Sequence, residues 1–139
     1  MPNLKEDDNA LREVLSQAKT IAVVGHSDKR KRTSYQIAQF LRHVGYTVYP
    51  VNPLVKEIDG QPSYLSLKEL PEPVDIVNVF RRSEYLSEIV DEAISIKAKT
   101  VWAQLGIWDE AAAQKALDAR LNVVMDACIK IEYQRLRVI

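Results

Sequence analysis

Five apolar runs punctuate the chain, each separated from the next by enough residues for a helix or a long crossover: TIAVVG (20–25), YTVYPVNP (46–53), VDIVNVF (74–80), TVWAQLG (100–106) and LNVVMD (121–126). TIAVVG is β-branched and apolar throughout rather than alternating, the pattern of a central parallel strand covered on both faces. Strands that alternate with helical segments of about ten or more residues pair in parallel through right-handed crossovers. The expected fold is a single α/β domain with its core at about residues 10–136. Its centre is a doubly wound, mainly parallel β-sheet with helices on both faces.

The intervening segments supply the helices. Asp7 or Asp8 is expected to cap a helix running to about Ala18, with Leu11, Val14 and Leu15 on one face. A second helix spans about Ser34 to Val44 and is ended by Gly45. Pro53 stops the second apolar run. Residues 54–74 are then rich in turn formers, with a helical turn around Ser66–Leu70 and a short extra strand near Gln61–Tyr64. Helices follow over 83–98, capped by Ser83, and over 109–120, with Asp109 and Glu110 at its start, and residues 127–136 close as a helical turn.

A chain of 139 residues is long enough for one such core. Nineteen Lys and Arg balance nineteen Asp and Glu, so the overall charge draws the chain to neither nucleic acid nor an anionic membrane. No run approaches the roughly 20 apolar residues of a membrane span, and the charged N-terminus does not read as a secretory signal, which makes the cytoplasm the expected compartment. Cys128 is the single cysteine and forbids an internal disulfide; with His26 and His43 it gives no metal-ligand spacing.

In sheets of this class ligands sit outside the carboxyl ends of the strands, where the strand order reverses. The loops to read are therefore GHSDKRKRTSY (25–35), NPLV (52–55), FRRSE (80–84) and QLGIWDE (104–110). Gly25 permits close backbone approach. Ser27, Thr33 and Ser34 bring hydroxyl and N–H groups to a helix start, where free N–H groups and the helix dipole favour anions. Lys29, Arg30, Lys31 and Arg32 add charge at the same place, and Arg81 and Arg82 either join them or sit on the surface.

A nicotinamide dinucleotide is the first candidate for such a loop, but its fingerprint is absent. The glycine after Gly25 is Gly45, and the second strand ends in Val51-Asn52-Pro53, without the acid that would hold a ribose diol. The glycine and lysine pattern of a P-loop is missing as well. The loop suits a phosphate-bearing ligand of another kind.

Taken together, VVGHSDKRKRTSYQIAQFLRHVGYTVYPVNP, VDIVNVFRR, VWAQLGIWDEAA and VVMDACIKIEYQRL resemble the small stand-alone coenzyme A-binding domain proteins, the YccU-like group. These are similar to the nucleotide-binding first domain of the succinyl-coenzyme A synthetase α subunit, and the likeness runs from about residue 10 to the C-terminus. The resemblance implies a Rossmann-like fold and coenzyme A as the ligand. It implies that Gly25, Ser27, Lys29, Arg32, Ser34 and Tyr35 approach the phosphates, and that Asn52 and Pro53 flank the adenine or ribose end. Phe80 and Arg81, with Gln104, Leu105 and Gly106, would line the pantetheine path. The chain departs from the family pattern at Arg30 and Thr33, where prolines are frequent.

Individual side chains carry plainer expectations. His26 has no evident orienting carboxylate and is expected to be a loop histidine touching solvent or phosphate, so no catalytic residue is assigned. The synthetase's phosphorylated histidine lies beyond its nucleotide domain, and no histidine follows His43 here. Tyr35 either bonds a phosphate or packs beneath the loop. Cys128 is expected as inert packing, Trp102 in the core and Trp108 on the ligand side. Gln104 is the best polar candidate near the thiol end, although an amide is a poor acid or base. The function expected is coenzyme A or acyl-coenzyme A binding as a module, sensor or carrier. The alternatives are an NADP-linked reductase, with the basic loop on the extra phosphate, and an acyl-coenzyme A-processing enzyme; a homo-oligomer or a protein partner is left open.

Overall fold

The computed structural model describes residues 3–138. Helix α1 (Asp8–Gln17) starts as expected, with the Asp7 carboxylate accepting the Ala10 N–H at 3.0 Å, and it buries Leu11 and Leu15. Strand β1 (Thr20–Val24) follows, with Ile21 and Val23 facing one helical layer and Ala22 and Val24 the other. Every residue from Ile21 to Val24 is buried, so the unbroken apolar run reads correctly as a strand without a solvent face.

Helix α2 (Thr33–His43) runs into Gly45, whose φ of +110° turns the chain into β2 (Thr47–Val51). The long connection that follows holds a small antiparallel hairpin, β3 (Glu57–Ile58) and β4 (Gln61–Pro62), and a short 3₁₀ turn at Leu67–Glu69. The extra strand expected near Gln61–Tyr64 is thus half of a hairpin, with Tyr64 bridging to Val51. Strand β5 (Ile76–Val79), helix α3 (Leu86–Ser95), β6 (Thr100–Ala103), α4 (Glu110–Asp118), β7 (Asn122–Val124) and α5 (Ile129–Arg135) complete the chain.

Five strands form one parallel sheet in the order β2-β1-β5-β6-β7. Residues of α1, α2 and α5 pack with Ile21, Val23, Ile76 and Trp102 on one face; residues of α3 and α4 pack with Ala22, Val77, Val101 and Ala103 on the other. The order also fixes where the sheet is open. From β1 the chain moves outward to β2, then returns past β1 to lay down β5, so the strand order reverses between β1 and β5. Their carboxyl ends bound the crevice in which such folds take ligands.

Polar side chains meet both sheet edges, joined at β2 by the backbone of Tyr64. At β2, whose Pro50 is tolerated because it lies on an edge, Gln61 Nε2 donates to Val48 O at 2.7 Å. Beyond β7, the Asn3 amide donates to Met125 O at 3.1 Å and accepts from Met125 N at 3.0 Å, acting as a one-residue strand. Among the described residues no helix is long and apolar enough to cross a membrane.

One capping expectation fails. The chain from Ser83 to Tyr85 is a 3₁₀ turn and α3 begins at Leu86; Ser83 caps neither, because its Oγ accepts the Trp108 N–H at 2.9 Å across the carboxyl end of the sheet. Asp109 does cap α4, accepting from Ala112 N at 3.0 Å.

Candidate functional site

Gly25 stands at the end of β1 with φ +88° and is held by its N–H bond to Val51 O at 2.8 Å. A Cβ built there would lie 3.2 Å from Phe80 O and 3.2 Å from Arg81 Cδ. Glycine is therefore required both by the left-handed turn and by the closeness of the chain leaving β5.

The first turn of α2 is the open end of the site. Arg32 occupies the N-cap position without a side-chain capping bond, whereas α1 and α4 are closed by Asp7 and Asp109. Among the described residues the N–H groups of Thr33, Ser34 and Tyr35 find no acceptor; the first intrahelical bond is Gln36 N to Arg32 O at 3.1 Å. Three backbone donors and the positive end of an eleven-residue helix thus face outward together.

Two of these donor residues, Thr33 and Ser34, line a cleft of about 320 Å³ together with Gly25, Ser27, Lys29, Arg32 and Phe80. Seven residues singled out from the sequence are brought together here, Thr33 among them at the first helical position. The loop is internally braced: Ser27 N–H donates to Ser34 Oγ at 3.0 Å, Lys29 N–H to Ser27 Oγ at 3.0 Å, and Gln36 Nε2 to Arg30 O at 3.2 Å. The side chains of Lys29 and Arg32 are left exposed at the mouth.

A second hollow of about 190 Å³ opens on the other side of the β5 exit. Val24, Val51, Pro53 and Leu65 supply apolar walls, and Arg81 and Tyr85 close it, with the Arg81 guanidinium 4.3 Å above the Tyr85 ring. Adjacent residues thus serve adjacent spaces, Phe80 the cleft and Arg81 the hollow. Leu65 and Tyr85 were not legible as site residues, because one lies in the irregular β2–β5 connection and the other in a 3₁₀ turn without motif.

His26 corrects an expectation. It touches neither solvent nor the cleft surface but is fully buried beneath the loop, its ring edge-on to Tyr35 at 5.9 Å between centroids. Nδ1 lies 2.8 Å from Ser27 O, which can only accept, so the ring carries its proton on Nδ1; Nε2 is buried and has no partner among the described residues. Burial pushes His26 down to about 4, the bond to Ser27 O opposing it, with nearby Arg42 lowering and Asp59 raising it.

Tyr35 takes the packing alternative. Only 6% exposed, it donates its hydroxyl to Asp59 in the β3–β4 turn at 2.5 Å, and that bond leads the rise of its pKa. Asn52 is likewise occupied: its Nδ2 donates to His26 O at 2.9 Å and its Oδ1 accepts the Leu54 N–H at 2.9 Å. It sets the turn after β2 and leaves Pro53 to face the hollow.

At the far end of the crevice the side chain of Gln104 is turned inward. Its Oε1 accepts from Asn78 Nδ2 at 3.1 Å and from Ile129 N at 3.0 Å, so it holds the start of α5 to the sheet. Leu105 and Gly106, by contrast, are exposed, and Gly106 N–H is tied to Asp126 Oδ1 at 2.7 Å. Gln104, Leu105 and Gly106 border neither the cleft nor the hollow. Trp102 is buried, donating Nε1 to Ala127 O at 2.9 Å, and Cys128 is buried beside it in the same apolar cluster. Trp108 is 45% exposed.

A doubly wound parallel sheet with a glycine turn and an uncapped helix start at its switch point defines a Rossmann-like fold. The sequence comparisons make the class specific: the family model described as "CoA binding domain" matches residues 19–134, and the chain belongs to that family. It is 42% identical over 123 residues to the uncharacterized protein YneT of Bacillus subtilis, covering 88% of this chain and 91% of YneT. A solved hypothetical protein from Pyrococcus horikoshii superposes with a TM-score of 0.91 at 36% identity, covering 94% of this chain and 92% of that one. The ADP-forming acetate–CoA ligase I of Archaeoglobus fulgidus is 35% identical over 80 residues, 58% of this chain and 12% of the ligase.

Proposed function

We propose that this chain is a cytoplasmic protein that binds coenzyme A or an acyl-coenzyme A and acts as a binding module, sensor or carrier. The observation that carries the reading is the uncapped N-terminus of α2, with the free N–H groups of Thr33, Ser34 and Tyr35 beside Gly25 in a chain of the CoA binding domain family. The diphosphate belongs at those donors, with Lys29 and Arg32 screening its charge from the mouth.

The second hollow fits the other end of the ligand. Its apolar walls at Val51, Pro53 and Leu65 and the Arg81–Tyr85 stack suit a flat heteroaromatic base, and it adjoins the cleft at the β5 exit. Phe80 and the exposed Leu105 and Gly106 leave the pantetheine arm a path across the ends of β5 and β6. Gln104 supports that path from beneath, as an amide already committed to Asn78 and Ile129.

Isothermal titration of the purified protein with coenzyme A, NAD and NADP tests the reading. Saturable coenzyme A binding that exceeds both dinucleotides is the expected result. Binding of NADP without binding of coenzyme A would overturn it in favour of a reductase, and turnover of an acyl-coenzyme A would overturn the role of a module, sensor or carrier.

A further inference from the structure

Three facts about His26 have no place in ligand contact: the ring is fully buried, its Nδ1 is spent on Ser27 O, and its main-chain carbonyl holds Asn52 of the neighbouring loop. The bond to Ser27 O fixes the peptide group between Ser27 and Asp28, and the bond from Asn52 holds the peptide group before it. In a trans peptide the C=O and N–H point in opposite directions. The Ser27 carbonyl is drawn down onto the buried imidazole, so the Asp28 N–H is turned up and away from it. The neighbouring donors are occupied, Ser27 N–H by Ser34 Oγ and Lys29 N–H by Ser27 Oγ, but the Asp28 N–H has no acceptor among the described residues.

We propose that His26 is a positioning residue that turns the Asp28 N–H outward as a fourth anion donor, on the loop whose adjoining residues Ser27 and Lys29 line the cleft. The inference rests on the coenzyme A reading of the cleft and adds to it a residue that never touches the ligand. The imidazole works only as the neutral Nδ1–H form. Protonation would add an Nε2–H with no acceptor among the described residues, in a surrounding whose charged and titratable groups are Arg42 and Tyr35 of α2 and Asp59 of the hairpin. The Tyr35 ring packs against the imidazole and is itself tied to Asp59, so the hairpin closes the space beneath the loop.

The geometry makes an unusual demand on substitution. Asparagine places an amide where Nδ1 stands and can still donate to Ser27 O; glutamine places its amide near the position of Nε2; leucine donates nothing. One hydrogen bond of this kind is worth about tenfold in affinity. The expected result is that His26→Leu and His26→Gln weaken coenzyme A binding by about that factor while His26→Asn stays within about threefold of the parent. Equal loss in all three variants, or in none, would overturn the proposal.

Two measurements on the unsubstituted protein decide it without relying on variants that fold. Nitrogen-15 spectra should show the His26 proton on Nδ1, and the Asp28 amide resonance should move downfield with saturating coenzyme A. A proton on Nε2, or an Asp28 amide that ignores bound coenzyme A, contradicts the assignment. Should the protein fail to bind coenzyme A at all, the functional reading falls separately, and the same Asp28 resonance titrated with inorganic pyrophosphate decides the role of His26: a downfield shift supports it and an unmoved resonance overturns it.

Discussion

Arg81 leaves β5 with its Cδ against Gly25, where a Cβ would approach to 3.2 Å, and ends with its guanidinium over Tyr85. Gly25 lines the cleft and Arg81 the hollow, so the contact lies between the two spaces. Gly25→Ala forces a side chain into a φ of +88° and presses on Arg81 and the Phe80 carbonyl together. It should destabilise the fold by more than about 1 kcal/mol, read as a lowered urea midpoint with an unchanged slope.

His26 gives the stability a pH signature. Its folded value of about 4 lies below the ordinary 6.5, so between those values the unfolded chain holds a proton that the folded chain refuses. The contribution is complete above pH 6.5 and is lost as pH falls through about 4, for a total of about 3 kcal/mol. Urea unfolding of the parent and of His26→Asn at pH 7.5 and pH 4.5 checks the sign. The parent is expected to lose more stability than the variant over that interval, and an equal loss would remove His26 as the cause.

Much of this was legible beforehand because the fold is written in local patterns. TIAVVG announces a strand buried on both faces, Gly45 ends α2, and Asp7 and Asp109 cap their helices in the structure as the spacing implies. The first loop was legible too, because a glycine turn, hydroxyl residues and a helix start fall in sequence. The roles of His26, Gln104 and Ser83 were not, because each is fixed by a partner that only tertiary structure supplies. His26 and Ser83 are turned by Ser27 O and Trp108 N, and Gln104 by Asn78 and Ile129. The hollow was illegible for the same reason: Pro53, Leu65 and Tyr85 come from three separate segments.

Gln104 is expected to matter more to stability than to binding. Gln104→Leu strips an acceptor from both Ile129 N–H and Asn78 Nδ2, at about 1–3 kcal/mol for a buried donor left unpaired. Gln104→Glu keeps an acceptor in place and should recover part of that loss. Thermal melts of the two variants provide the check. A leucine variant as stable as the parent would show that the amide is not holding α5.

Lys29 and Arg32 line the cleft and are exposed, so they should act through charge rather than fit. Replacing both with alanine is expected to weaken coenzyme A binding several-fold and to flatten its dependence on salt, since exposed charges are screened within about 10 Å at 0.1 M. Titrations at two ionic strengths separate the effects. Unchanged affinity and unchanged slope would make the basic run an ordinary surface loop.

The most direct test of the site is a crystal structure of the protein grown with coenzyme A. The diphosphate oxygens are expected within about 2.7–3.2 Å of the Thr33 and Ser34 nitrogens at the start of α2, with the base against Pro53 and Tyr85. A diphosphate bound elsewhere, with the first turn of α2 left in contact with water alone, would contradict the assignment.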